Sequence, residues 1–130
     1  MNEVDLSEQL SLWVDGVLSN RLPQGIAAFH FNLYDSPKSH DIEVVGCPTY
    51  DPADPDWACD DIFMSAQPRF ELPHNVVGKT WERGLGAALR MLQSYVAGES
   101  SGANRLRQGE AVSVGFVDGE LVPIWRRNDA

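Results

Sequence analysis

From Ile26 to Tyr34 the side chains alternate, with Ala27, Phe29, Phe31 and Leu33 on one side and Ala28, His30, Asn32 and Tyr34 on the other. Alternation with a period of two marks a strand lying on a core, because successive side chains leave the pleat in opposite directions. The Phe29, Phe31, Leu33 side is expected to face inward, which leaves His30, Asn32 and Tyr34 on the opposite face. Beyond the turn-forming cluster Asp35 to His40, Ile42 and Val44 alternate with Glu43 and Val45 as far as Cys47. A second strand, antiparallel to the first, follows. This hairpin is the frame that the remaining segments must cover.

Two stretches repeat at three- and four-residue steps, the spacing of one helix face. Leu6, Leu10, Trp13, Val14, Val17 and Leu18 predict a helix from about Ser7 to Arg21, capped by Asp5 or Ser7 and ended by Pro23 and Gly25. Trp81, Leu85, Ala88, Leu89, Leu92, Tyr95 and Val96 predict a longer helix, about 76–97, lying over the sheet. Gly98 is placed to cap it in a left-handed conformation. Gly84 and Gly86 weaken it by about 1 kcal/mol each relative to alanine, unless close packing against the sheet uses their small size. Trp13, Trp81 and Trp125 are assigned to the core.

Pro48, Pro52 and Pro55 interrupt regular structure, so a loop is expected before a third strand over Trp57–Met64. Residues 67–75 are expected to be irregular, with a short extended piece at Arg69 to Leu72, and Glu99 to Gly109 to be a loop. Near the C-terminus, two apolar runs flank Asp118-Gly119, a hairpin signal suited to a type I′ turn. Pro123 points to an edge strand there, and the tail Arg126 to Ala130 is expected to fray. The reading is a single α+β domain over residues 1–130. It has a mostly antiparallel sheet of about five strands, an N-terminal helix, the long helix packed on the sheet, and a C-terminal hairpin.

Charge narrows the function. Ten Lys and Arg stand against nineteen Asp and Glu, for a net charge of −9. That balance argues against nucleic-acid binding, which needs clustered basic residues. Between Asp35 and Asp61 eight acidic residues face one base, Lys38, so this segment alone carries a net −7. No apolar run approaches the length of a bilayer span, and there is no charged-then-apolar leader, so a cytoplasmic protein is expected.

The familiar patterns of chemistry are missing. Neither Cys47 nor Cys59 carries the flanking signature of a catalytic thiol, and no G-x-S-x-G elbow occurs. Zinc spacings such as C-x-x-C are lacking, and the aspartates do not follow the calcium-loop pattern. Gly84-Leu-Gly86 falls inside a helix, not in a phosphate-binding turn. Catalytic residues, metals and cofactors are therefore not expected.

Recognition remains. Asp51, Asp54, Asp56, Asp60 and Asp61 surround Trp57, an aromatic among carboxylates that suits the grip of a cationic surface. Trp57 either supplies that contact or packs inward at the start of its strand. With Asp35 these residues form the expected partner-binding set. An alternative places a small enzyme or ligand-binding site on His30, Asn32 and Tyr34.

In Phe31-Asn-Leu-Tyr-Asp35, in the Trp57 to Asp61 run and in the closing stretch Gly115 to Trp125, the chain resembles the small acidic immunity proteins that bacteria encode beside polymorphic or contact-dependent toxins. The resemblance implies a cytoplasmic, non-enzymatic α+β domain that blocks a basic protein toxin domain, often a nuclease, by covering its cleft or a neighbouring surface.

Overall fold

A computed structural model of the chain describes residues 1–129. Helix α1 spans Glu3–Leu18. It is capped by Asn2, whose side chain accepts from the Asp5 N–H at 2.9 Å. The helix starts ahead of both expected caps, because Asn2 already satisfies a donor of the first turn.

Strands β1 (Ala28–Asp35) and β2 (Ser39–Cys47) make the expected antiparallel hairpin, in register from Ala28 opposite Cys47 to Asp35 opposite His40. Two short strands, β3 (Phe63–Met64) and β4 (Phe70–Pro73), pair antiparallel with opposite ends of β2. The full strand expected from Trp57 is not there: Pro55–Cys59 winds into a 3₁₀ turn and only Phe63 and Met64 extend. Pro55 presets the first helical φ, and the Asp54 side chain accepts from the Asp56 N–H at 3.0 Å, so the turn is capped locally.

The helix expected over 76–97 is two helices, α2 (His74–Val77) and α3 (Trp81–Val96). They part at Gly78, whose φ of 106° no helix accommodates, and Thr80 restarts the chain by capping the Arg83 N–H. Gly98 is not in the left-handed region, because α3 ends in a right-handed turn at Ala97. The expected loop after it contains helix α4 (Ser101–Leu106), capped by the Ser100 side chain.

Strands β5 (Ala111–Phe116) and β6 (Val122–Arg126) complete the C-terminal hairpin, and β6, with Pro123, is an edge. The Gly119 N–H donates to the Phe116 carbonyl and Gly119 has no positive φ, so the turn is wider than a two-residue type I′ turn. The tail is ordered in part: Arg126 lies in β6 and Arg127–Asp129 form a 3₁₀ turn, while Ala130 lies outside the described residues.

The strand order is β3-β2-β1-β5-β6, with β4 also on β2, and every pairing except β1 with β5 is antiparallel. The chain reaches that one parallel pairing by passing through α2, α3 and α4 between β4 and β5, the long connection a parallel neighbour requires. The fold is α+β.

Phe29, Phe31 and Leu33 pack with Ile42, Val44, Val112 and Val114 against Leu6, Leu10 and Val14 of α1 and Ala88 and Leu92 of α3. Each large side chain so buried contributes about 1.5–3 kcal/mol. Trp81 is not in that core; as the first residue of α3 it is 57% exposed. Trp13 and Trp125 are partly buried at the margin. Among the described residues no helix is long and apolar enough to cross a membrane.

Gly84 shows why α3 tolerates a glycine in its interior. A Cβ there would stand 2.6 Å from Cδ2 of the fully buried His40 ring. Gly84→Ala is expected to destabilise by about 2 kcal/mol through overpacking, despite alanine's better helix propensity. Gly86→Ala, which meets only the tip of Arg90, should stabilise slightly; urea unfolding of the two variants checks the sign.

Candidate functional site

The sheet face turned away from the helices carries the sequence's unusual residues. From β1 it presents His30, Asn32 and Tyr34, from β2 Glu43, Val45 and Cys47, and from β5 Ala111 and Ser113. The segment after β2 folds back over one end of this face. Trp57 packs there with Ala28, Val45, Cys47 and Ala111, 6% exposed, its ring edge-on to Tyr50 at 5.2 Å and to His30 at 6.2 Å. Trp57 is thus the keel of the acidic loop, not an outward anchor.

The loop's carboxylates remain outside. Asp51, Asp54, Asp56, Asp60 and Asp61 are all exposed, and among the described residues none of the five enters a salt bridge. Two of them shape the loop: Asp51 accepts from the Ala53 N–H at 2.9 Å, and Asp54 from Asp56. Asp60 and Asp61 lie near Cys47, whose thiol is pushed up to about 12 by burial and then by those two charges. Cys47 is buried, Cys59 is exposed and the two are not bonded to each other.

Asp35 does not join this group. It ends β1 seven residues from Ala28, about 23 Å along the strand at ~3.3 Å per residue. Its carboxylate turns to His40 Nδ1 at 3.0 Å.

Between the acidic loop and the β5–β6 hairpin lies a cleft of about 800 Å³. Its lining includes His30, Asn32, Trp57 and Ser113, and its rim includes Asp51, Asp56, Asp118 and Glu120. Arg126 also reaches it. Asp118 and Glu120 are exposed, so acidic residues border the cleft from both the loop and the hairpin. Sequence reasoning missed Asp118 and Glu120, since only the tertiary fold brings that hairpin beside residues 51–56.

His30 is 5% exposed, and its Nδ1 lies 2.7 Å from Ser113 Oγ. Burial lowers its pKa to about 4, with a hydrogen bond to Asn32 opposing the shift. Such an imidazole is neutral at pH 7 and a weak proton acceptor, poorly matched to drawing a proton from Ser113. Tyr34, the third residue of the alternative site, is engaged elsewhere. Its hydroxyl donates to Glu43 Oε1 at 2.9 Å, Asn32 Nδ2 donates to the same oxygen at 3.2 Å, and the Arg69 guanidinium lies 3.6 Å from the centre of the Tyr34 ring. Arg69 Nε is 3.6 Å from Glu43 Oε2, an ion-pair distance rather than a hydrogen bond. Burial first, then Glu43, raises the Tyr34 pKa.

For a metal the structure offers a different place. Among the described residues, Asp35, His40 and His74 bring one donor atom each within 4.8 Å of one another, at the far end of the hairpin. No spacing in the sequence announces them, since His40 and His74 come from separate elements. Comparison with family models, with curated proteins and with solved structures gives no match to this chain.

Proposed function

We propose that the protein is a non-enzymatic inhibitor of the immunity type, which acts in the cytoplasm and neutralises a basic protein toxin domain through its acidic loop and the adjoining cleft. One observation carries this reading: on a loop backed by the buried Trp57 five aspartates are exposed and, among the described residues, free of salt bridges, and two of them, Asp51 and Asp56, border a cleft that Asp118 and Glu120 border from the other side. A negative concavity focuses field toward itself and speeds encounter with a positive partner. The hollow between loop and hairpin suits a protruding Lys- or Arg-bearing segment better than a flat basic patch.

The test pairs the protein with the toxin domain encoded beside it and measures both protection of cells and association rate against salt. Converting Asp54, Asp56, Asp60 and Asp61 together to Asn should slow association roughly 10-fold or more at low salt and flatten its salt dependence. Unchanged protection by that variant would remove the loop from the interface. A second reading, a small-ligand site, is favoured by the presence of His30 and Asn32 in the cleft lining. It predicts the converse pattern: ligand binding lost in Asn32→Ala and kept in the aspartate variant.

A further inference from the structure

The end of the molecule remote from the acidic loop holds a cluster that the inhibitor reading does not use. His40, the second residue of β2, stands directly opposite Asp35 at the end of β1, and His74 begins α2 where β4 ends. The His40 ring is completely buried and held on several sides: Gly84 of α3 lies against it, Phe116 meets it edge-on at 5.8 Å and the His74 ring is 4.5 Å away.

Its two nitrogens have opposite environments. Nε2 lies 3.0 Å from the Gly78 carbonyl oxygen, which can only accept, so Nε2 must carry a proton. In the neutral ring Nδ1 then bears the lone pair, and it faces the Asp35 carboxylate oxygen at 3.0 Å. Two electron pairs that close call for a positive centre between or beside them. His74 brings a third donor atom into the cluster, and its Nε2 is buried and has no hydrogen-bond partner among the described residues. Leaving such an atom unsatisfied is unfavourable, and a cation would satisfy all three at once.

We propose that Asp35 Oδ1, His40 Nδ1 and His74 Nε2 bind a borderline divalent cation of the Zn²⁺ class, with a fourth position left to water or an incoming ligand. Two imidazoles and one carboxylate select such an ion over Mg²⁺ or Ca²⁺, which take oxygen ligands. At Zn–N and Zn–O bonds of about 2.0–2.1 Å, tetrahedral ligand atoms lie ~3.3 Å apart. The Asp35–His40 pair is already near that edge length, and a pair at the cluster's outer limit of 4.8 Å would close by about 1.5 Å through movement of His74 or Asp35. The Gly78 carbonyl acts as the outer partner that fixes the tautomer of a metal-bound histidine. The competing arrangement is a proton in the metal's place, giving an imidazolium paired with Asp35.

The experiment titrates ZnCl₂ into the untagged, chelator-treated full chain by calorimetry, with Co²⁺ as a spectroscopic probe and MgCl₂ as the control. The expected result is one Zn²⁺ per chain, a raised Tm, and Co²⁺ absorption bands of a four- or five-coordinate site. Asp35→Asn, at a side chain 68% exposed, and His74→Gln should each weaken binding by at least about 10-fold while leaving the circular dichroism unchanged. Absence of stoichiometric binding by the folded protein, or binding that survives both substitutions, would overturn the assignment in favour of the proton.

Discussion

Glu43→Ala will destabilise the protein by about 3 kcal/mol or more, the largest effect expected of any single polar substitution in this chain. Glu43 sits in the middle of β2 on the face opposite the helices and is 1% exposed. Its carboxylate receives the Tyr34 hydroxyl and the Asn32 amide on one oxygen and faces Arg69 with the other. Truncation leaves two donors without their acceptor, strips a half-buried guanidinium of its counter-charge and opens a void at once. Arg69 keeps part of its hydration, with its side chain 31% exposed, which holds the ion-pair contribution well below that of a fully buried pair. Glu43→Gln separates these contributions. Its carbonyl oxygen can still accept from Tyr34 and Asn32, while its amide meets Arg69 with the wrong polarity, so a loss of about 1 kcal/mol is expected. Urea midpoints at constant m-value measure both. A Glu43→Ala variant within about 0.5 kcal/mol of the parent would show that the network is incidental to the fold.

The same network marks where the sequence was legible and where it was not. Alternation along β1 and β2 put Phe29, Phe31 and Leu33 inward correctly, because a two-residue period reports directly on which face is buried. It also put His30, Asn32 and Tyr34 on one face. It could not say that Glu43 would cross to meet two of them, since a buried carboxylate and a solvated one look alike in a strand. The acidic loop was legible as charge but not as shape. Trp57 proved to be a packing residue because the 3₁₀ turn begun at Pro55 rolls its ring beneath the loop, and a strand-period reading cannot anticipate that rotation. Asp35 left the acidic set for a related reason: the whole length of β2 separates it along the chain from residues 51–61, so it stays at the turn end of the hairpin while they follow from the other end. The break at Gly78 and the helix after Ser100 were missed because helical periodicity runs through short interruptions, whereas the backbone conformation of one glycine stops a helix outright.

Acid should weaken the protein earlier than its carboxylates alone would, through His30. The ring is buried at the floor of the cleft, and its pKa falls from 6.5 to about 4 in the folded state because burial disfavours the imidazolium. The unfolded chain takes up a proton as pH drops through 6.5, while the folded chain resists until about 4. Between those limits the unfolded state binds more protons, so stability rises with pH across the window. The contribution is whole above pH 6.5, is lost progressively on acidification, and declines no further once both states are protonated below about 4. The gap corresponds to about 3 kcal/mol at most. Carboxylates titrate over the lower part of the same range, so the informative quantity is a difference: the stability lost between pH 7 and pH 4.5, compared between the parent and His30→Gln. Glutamine can still hydrogen-bond Ser113 and does not titrate, so it should cost some stability at pH 7 yet lose markedly less on acidification. Equal losses in the two proteins would mean that His30 accepts its proton without opening the fold. The position of the ring gives the effect a functional edge. His30 lies edge-on to Trp57, which supports the acidic loop, so charging His30 would disturb the cleft floor before global unfolding. Partner association measured at pH 5 should therefore weaken in the parent more than in His30→Gln, while at pH 7 the two should bind alike.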